Sequence, residues 1–143
     1  MFLVMSGMAF SSCSDKYADV DIDYSISSLY SEDEMDAAIK LIEQEFDGWE
    51  GCEMHSIKYA GDGDMTAENM EWVNSIAEIN GFNSDYTECI SFLVTFHSPV
   101  DGGGAWIPNT EYTDMKWWLA RKNGGSWKLI TWDEGQKINT YGD

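Results

Sequence analysis

Residues 88–97 read ECISFLVTFH, residues 111–122 read EYTDMKWWLARK and residues 126–132 read SWKLITW, and these three segments decide the fold. In the first segment, apolar side chains stand at every second position, a period that is typical of a β-strand. The Asn-Gly-Gly sequence at 123–125 is typical of a tight hairpin turn. The sequence therefore predicts a three-stranded antiparallel meander, in which a glycine-rich loop over 98–104 joins the first two strands.

Alternation also predicts which side chains share a face of this sheet. On the last strand it places Trp127 and Leu129 on the face opposite Ile130 and Trp132. Large aromatic rings fill the core of a small domain, so Trp117 and Trp127 are expected to be core residues. The apolar face of the sheet must be buried, and the helices predicted upstream are expected to cover it.

Capping residues and apolar spacing predict two helices. The segment 31–34, Ser-Glu-Asp-Glu, offers a capping serine, a glutamate three residues later and three acidic side chains that suit a helix N-terminus. Apolar residues then recur at helical spacing until Asp47-Gly48 ends the helix. Thr66 caps the second helix, which Asn80-Gly81 ends. A strand over 52–59 is predicted between them.

The composition indicates one acidic globular domain. The 143 residues include 26 acidic and 8 basic side chains, which give a formal net charge of −18, and 43% of the residues are hydrophobic. This apolar share is enough for one core, and the chain is too short for two. The charge argues against a nucleic-acid partner and disfavours electrostatic binding to an anionic membrane. It favours solubility, and the alternative is a cationic partner or a bound divalent metal.

Sequence motifs of cofactor sites, metal sites and hydrolase nucleophiles are absent. The sequence has no P-loop, G-x-G-x-x-G, G-x-S-x-G, H-E-x-x-H or C-x-x-C motif. We therefore predict no cofactor and no metal. Cys52 and Cys89 lack the spacing of zinc ligands; they either pair in an oxidising compartment or stay free and buried.

The N-terminus resembles the export signal of bacterial lipoproteins. Residues 2–10 are apolar or small, which is typical of a signal peptide, and Ser11-Ser12 precede Cys13 as in a lipobox. Phe10 stands where a leucine is usual, and no basic residue precedes Lys16. The resemblance implies a lipidated Cys13 and an extracytoplasmic, membrane-anchored location; the alternative is a buried strand with an ordinary cysteine. The chain then divides into a signal-peptide remnant (1–12), an acidic tether (13–29) and a single domain (30–143).

The order of the elements resembles the NTF2-like fold, a cone-shaped, cystatin-like α+β domain. The resemblance is carried by NTEY at 109–112 leading into KWWLAR at 116–121, and by GSWKLITW at 125–132. It covers about residues 30–135 and is nearest to uncharacterised exported lipoproteins of Gram-positive gut bacteria. It implies N-terminal helices packed on a curved antiparallel sheet, with a pocket at the open end. Because this fold hosts enzymes, binding proteins and assembly modules, it implies no activity.

The first expected function is a non-enzymatic binding or interaction domain. Its pocket would lie beneath the loop at 102–104 and take a small molecule or a protein partner. The candidate ligand-binding residues are Trp106, Trp117, Arg121 and His97. Arg121 suits an anionic group, although a salt bridge to a surplus acid is its alternative role. A homodimer through the outer face of the sheet is a further expectation.

The second expected function is that of a small lyase or isomerase. NTF2-like enzymes resembling dehydratases place a histidine or an aspartate in the pocket, and His97 with Asp114 or Glu111 would act as the general base here. The alternative is that His97 is a surface residue at the end of a strand.

Overall fold

The computed structural model describes residues 15–133, and these residues form an α+β fold. Two helices pack against a five-stranded mixed sheet that is not closed. The helices are α1 (Glu32–Phe46) and α2 (Ala67–Ile79). The strands are β1 (Asp21–Asp23), β2 (Glu53–Tyr59), β3 (Glu88–His97), β4 (Glu111–Arg121) and β5 (Lys128–Trp132). Cys13 and the predicted signal-peptide remnant lie outside the described residues.

The strands of the sheet follow chain order, β1-β2-β3-β4-β5. Strands β2, β3, β4 and β5 pair antiparallel in turn, but β1 is parallel to β2, so the sheet is mixed and not the wholly antiparallel sheet that the sequence predicted. The predicted meander is confirmed as β3, β4 and β5. The turn between β4 and β5 carries Asn123 and Gly124 with φ angles of 29° and 74°. Glycine reaches this left-handed region without strain and asparagine tolerates it, which explains these residue types in the hairpin turn.

Both helices begin at the predicted capping residues. The Ser31 hydroxyl accepts a hydrogen bond of 3.1 Å from the Glu34 backbone N–H, and Glu34 Oε1 accepts one of 2.9 Å from the Ser31 N–H. This reciprocal pair is a capping box, which satisfies backbone donors at the start of α1. At α2, Thr66 Oγ1 accepts a hydrogen bond of 3.0 Å from the Asn69 N–H.

The two helices lie on opposite faces of the sheet, since successive side chains of a strand point to opposite sides. The face that α1 covers, the α1 face, carries the larger core, which includes Phe92, Phe96, Trp117, Leu119 and Trp132. Helix α2 covers part of the other face. Its residues Met70, Val73 and Ala77 pack there against residues of the sheet, namely Cys89, Trp118, Ala120 and Ile130. The expectation that both helices cover one apolar face is therefore wrong. Where α2 packs, β3 and β4 carry apolar side chains on both faces of the sheet, and each face needs a helix to cover it. The rest of the second face, the open face, carries partly exposed polar side chains, among them Thr95, His97 and Glu111.

A bulge in β5 changes the predicted facing of its last residues. Trp118 pairs with Thr131 while Leu119 pairs with Leu129, so Ile130 is an extra residue on β5. An extra residue shifts the alternation beyond it by one position. Trp132 consequently lies on the α1 face, opposite the face of Ile130, and the prediction that the two share a face is wrong.

An additional strand and an ordered turn occupy the segment that the sequence assigns to a tether. Strand β1 pairs with Ser56–Lys58 of β2, and Ile22 packs against the α1-face core. Further upstream, the Tyr17 hydroxyl oxygen lies 2.9 Å from the Glu43 carbonyl oxygen of α1. Val20, Ile22 and Tyr24 alternate with Asp19, Asp21 and Asp23, and these three apolar side chains pack against the α1-face core. This alternation is typical of a strand, and the assignment of the segment to a tether overlooked it.

The two described cysteines are both free thiols. Cys52 belongs to the α1-face core and Cys89 to the smaller core under α2, so the sheet lies between them. The structure therefore has the unpaired alternative of the two that the sequence left open. Within residues 15–133, no helix is both long and apolar enough to cross a membrane.

Candidate functional site

A cleft of about 390 Å³ opens between the C-terminal end of α1 and the loop that joins β3 to β4. It is lined by Asp47, Gly48, Trp49, Glu50, Gly103, Ala105 and Trp106. Because Trp49 and Trp106 form its aromatic wall, we call it the tryptophan cleft. Three of its lining residues are glycine or alanine, so little side-chain volume fills the space.

The aromatic wall of the tryptophan cleft continues into the core. The Trp49 ring lies 4.9 Å from Trp106 on the cleft side and 5.1 Å from Trp117 on the core side, measured between centroids. Trp106 also packs edge-on against Phe96 at 5.2 Å and Tyr112 at 5.3 Å. Close packing of this kind leaves a ring few alternative positions. The two indoles of the cleft are therefore held in place by the α1-face core.

Trp106 is placed by a loop whose backbone suits glycine. Gly102, Gly103 and Gly104 have φ angles of 79°, 57° and 88°. Residues with a β-carbon rarely adopt this region, and a β-carbon at Gly102 would lie 3.2 Å from the Pro108 ring. The backbone N–H of Trp106 donates a hydrogen bond of 2.9 Å to the backbone carbonyl of Gly102. The glycines thus fold the loop back and bring the Trp106 indole to the cleft.

Both charged residues that line the tryptophan cleft are acidic. Asp47 Oδ1 accepts a hydrogen bond of 2.5 Å from the Tyr17 hydroxyl and lies 3.3 Å from Lys16 Nζ. The hydrogen bond from Tyr17, and then that from Lys16, hold the pKa of Asp47 below its usual value, although partial burial opposes them. The carboxylate is therefore ionised at neutral pH. Glu50 is exposed to solvent.

A second cleft, of about 430 Å³, lies beside the first half of α1 and contains Arg121. Arg121 Nη2 lies 2.7 Å from Glu34 Oε2, and its Nε donates to Glu88. The guanidinium also lies 4.2 Å from the ring centroid of Trp127. Arg121 is buried and has a carboxylate partner on each side. It therefore links α1, β3 and β4 as a structural cation, which is the salt-bridged alternative for this residue.

Two histidines meet one carboxylate on the open face, and we call this group the histidine pair. Glu111 Oε2 lies 2.8 Å from His55 Nδ1, and Glu111 Oε1 lies 2.9 Å from His97 Nδ1. The remaining ring nitrogens face Glu53 Oε1 at 3.3 Å and Asn109 Oδ1 at 2.7 Å. The strand register brings these side chains together, because His97 pairs with Glu53 on one side and Glu111 on the other.

The groups of the histidine pair shift one another's titration. The hydrogen bond to Glu111 is the main cause that raises the pKa of His55, and those to Asn109 and then Glu111 raise the pKa of His97. The same contacts, His55 first, lower the pKa of Glu111. Among residues 15–133, no group of His, Cys, Asp and Glu side chains is arranged to hold a metal ion.

No family model, curated protein or solved structure matches this chain. The candidate site therefore rests on geometry. Of the four ligand-binding residues predicted from the sequence, Trp106 lines the tryptophan cleft and Arg121 lines the second cleft. Trp117 is completely buried in the α1-face core, and His97 lies on the open face and lines neither cleft. The structure does not bring these four residues into one pocket.

The acid that contacts His97 is Glu111, one of the two named from the sequence, and not Asp114. Asp114 lies at a bulge of β4 with a φ angle of 57°, and its backbone N–H donates to Thr95 Oγ1 at 3.1 Å. Glu111 pairs directly with His97, whereas Asp114 lies three residues further along β4 and therefore does not reach that histidine.

Sequence reasoning missed three residues of the tryptophan cleft: Asp47 as a lining carboxylate, Trp49 and Glu50. A signal was present, because Trp49 comes directly after the helix-ending Asp47-Gly48. A large ring at that position must either pack back on the helix end or face solvent. Here it packs back and becomes the inner wall of the cleft.

Proposed function

We propose that this protein is a non-enzymatic binding domain and that the tryptophan cleft holds its ligand. The observation that carries the proposal is the construction of the cleft, in which two core-held indoles form a wall and small residues leave the space in front of it unfilled. Small-molecule sites combine aromatic walls with a few polar groups in this way, and a volume of about 390 Å³ is within their usual range.

A lyase or isomerase with His97 as general base is the second candidate. The contact of 2.9 Å between His97 Nδ1 and Glu111 favours it. The surroundings of His97 argue against this function. The side chain is partly exposed on the open face, and both ring nitrogens already face an oxygen atom of the protein. The variant His97→Gln separates the two functions: it would remove a general base but leave binding in the tryptophan cleft unchanged.

We also propose an extracytoplasmic, lipid-anchored location and an NTF2-like domain. The lipobox-like Ser11-Ser12-Cys13 supports the location. Helix α1 on a sheet with a long tryptophan-rich meander supports the fold, whereas α2 on the opposite face departs from it. Mass spectrometry of the protein from cells tests the location: a diacylglyceryl group on Cys13 is expected, and an unmodified full-length N-terminus would contradict it.

Indole N–H signals in NMR spectra test the binding function, because each tryptophan side chain gives one signal. In a screen of small molecules, we expect binding compounds to shift the signals of Trp49 and Trp106. The signal of Trp72 is the internal control, because Trp72 lies on α2 and packs against Trp118 on the other face of the sheet.

Matched variants make this test specific. Trp106→Leu removes the outer part of the aromatic wall and is expected to weaken binding about tenfold or more. Trp72→Leu, the same substitution of a half-buried tryptophan on α2, should leave the affinity unchanged. Compounds that shift only the signal of Trp127 would move the site to the second cleft, and a screen without any shift would contradict the binding function.

A further inference from the structure

We propose that the ligand of the tryptophan cleft carries a positively charged ammonium group. This inference rests on the proposed binding function and names the chemical class of the ligand. It follows from three observations on the described residues of the cleft: the sign of the charges at the cleft, the aromatic wall beside them and an ammonium group of the chain itself that lies at the rim.

The first observation is electrostatic. The cleft is lined by Asp47 and Glu50 and by no lysine, arginine or histidine among the residues that form it. The whole chain carries a formal net charge of −18, which raises the concentration of cations near its surface. Lys16 at the rim offsets the charge of Asp47, so Asp47, Glu50 and Lys16 together leave one negative charge at the cleft, and this sign favours a cation over an anion.

The second observation is the chemistry of the wall. An indole ring has a negative face that attracts cations, and tryptophan is the best of the aromatic side chains in this respect. Trp106 is partly exposed where it lines the cleft, while Trp49 supports it from the core side. A cation in the cleft would therefore meet an indole ring at Trp106 and a carboxylate at Glu50, both of which line it.

The third observation is Lys16. Its ammonium lies 3.3 Å from Asp47 Oδ1, 5.6 Å from the ring centroid of Tyr17 and 5.7 Å from that of Phe46. The rim of the cleft thus already holds an ammonium group between a carboxylate and aromatic rings. Asp47 keeps its charge in this arrangement, because hydrogen bonds from Tyr17 and Lys16 hold its pKa below the usual value. A ligand ammonium in the cleft would meet the same two kinds of group, a carboxylate at Glu50 and an aromatic ring at Trp106.

Titration of the full-length chain with choline and with 3,3-dimethylbutan-1-ol tests the inference. The two compounds have nearly the same shape, and only choline is charged. We expect choline to shift the indole signals of Trp49 and Trp106 at about tenfold lower concentration than the alcohol. The choline affinity should also fall as salt is added, because part of the attraction is between exposed charges.

Variants that remove one negative charge test whether the attraction between choline and the protein comes from the cleft. Glu50→Gln is expected to weaken choline binding roughly threefold and to leave the binding of the alcohol unchanged. Glu71→Gln on α2 removes the same charge from an exposed position outside the cleft lining, and it should leave both affinities unchanged. An equal effect of the two substitutions would mean that only the net charge of the protein matters, and it would overturn the local site.

The outcomes for the ligand class and for the binding function are separable. If the alcohol binds as tightly as choline, or if only uncharged compounds such as sugars shift Trp49 and Trp106, the ammonium inference is overturned and the binding function stands. If no compound of either charge shifts these two signals, both are overturned. Binding of choline that survives Trp106→Leu would also overturn the inference, because the indole face would then contribute nothing.

Discussion

The two faces of the sheet differ in how completely they are buried, and this difference indicates where the candidate site lies. The α1 face is closed by interlocking aromatic rings, of which Phe46, Trp117 and Trp132 are almost completely buried. The open face carries the histidine pair, whose side chains are between about one third and two fifths exposed. Titratable groups thus gather where water has free access, whereas the cleft forms at the rim of the closed core. A rigid apolar wall, and not the cluster of histidines, marks the place suited to hold a ligand.

The largest expected effect compares phenylalanines on the two faces. Phe46→Ala removes a fully buried ring from the α1 face and should lower the free energy of unfolding by about 3–5 kcal/mol. Phe82→Ala removes a half-buried ring that packs against the smaller core on the other face, and about 1–2 kcal/mol is expected. Urea denaturation measures both values. Equal losses would mean that the α1 face is not the main source of stability.

The next effect concerns the cation at the edge of the closed core. Arg121→Met leaves Glu34 and Glu88 without their common partner, and a loss of about 2–3 kcal/mol in unfolding free energy is expected. Arg121→Lys keeps the charge but cannot bridge both carboxylates with fixed geometry, so an intermediate loss is expected. If Arg121→Met is as stable as the native protein in chemical denaturation, the salt bridges do not hold α1 to the sheet.

Helix capping should sharpen the comparison with a smaller effect. Ser31→Ala removes the capping box of α1 and should cost about 1 kcal/mol, and Thr66→Ala at α2 should cost about the same or slightly less. Because α1 covers the larger core, we expect its cap to affect global unfolding, while the cap of α2 affects local opening first. Amide hydrogen exchange measured beside urea denaturation distinguishes global from local effects.

The smallest expected effect is the pH dependence of the open face. His55 and His97 have raised pKa values in the folded state, so the stability that they contribute is fully present below their unfolded-state pKa, near 6.5, and is lost as the pH rises through the folded values. Glu111 has a lowered pKa, so its contribution is lost as the pH falls through its folded value. The stabilisation is therefore largest in mildly acidic solution.

Melting temperatures measure this dependence. Between pH 6 and pH 8, the native protein should lose slightly more thermal stability than a variant with both His55→Gln and His97→Gln. The difference should be small because the side chains are partly exposed and water screens them. Identical pH profiles for the two proteins would show that the histidine pair does not stabilise the fold.

Local patterns were sufficient to predict most elements of the fold. Ser31 and Thr66 mark the helix starts because capping is a local interaction between a side chain and the next turn of backbone. Strand β3 is bounded as predicted, at Glu88–His97, because its alternation is uninterrupted. The order of strands in the meander followed from short connections, which keep consecutive strands adjacent.

Features that depend on distant partners could not be predicted in the same way. The bulge at Ile130 moves Trp132 to the other face, and no residue type in β5 announces it. Strand β1 differs, because the alternation of Val20, Ile22 and Tyr24 with aspartates is visible in the sequence and only its pairing partner, Ser56–Lys58, is not. Of the candidate site, Trp106 was identified because its glycine-rich loop is visible in the sequence, whereas Trp49 joined it only through the packing of the α1 end against that loop.

The attachment of Tyr17 to the end of α1 sets how far the cleft lies from any anchor at Cys13. Lys16 contacts Asp47 at the cleft rim, and only three residue steps separate Lys16 from Cys13, a reach of at most about 11 Å between Cα atoms. If Cys13 carries the proposed lipid, this short reach would keep binding in the cleft close to the membrane surface. Val100 and Ile107, which are 81% and 64% exposed, lie on the loop that adjoins the same cleft.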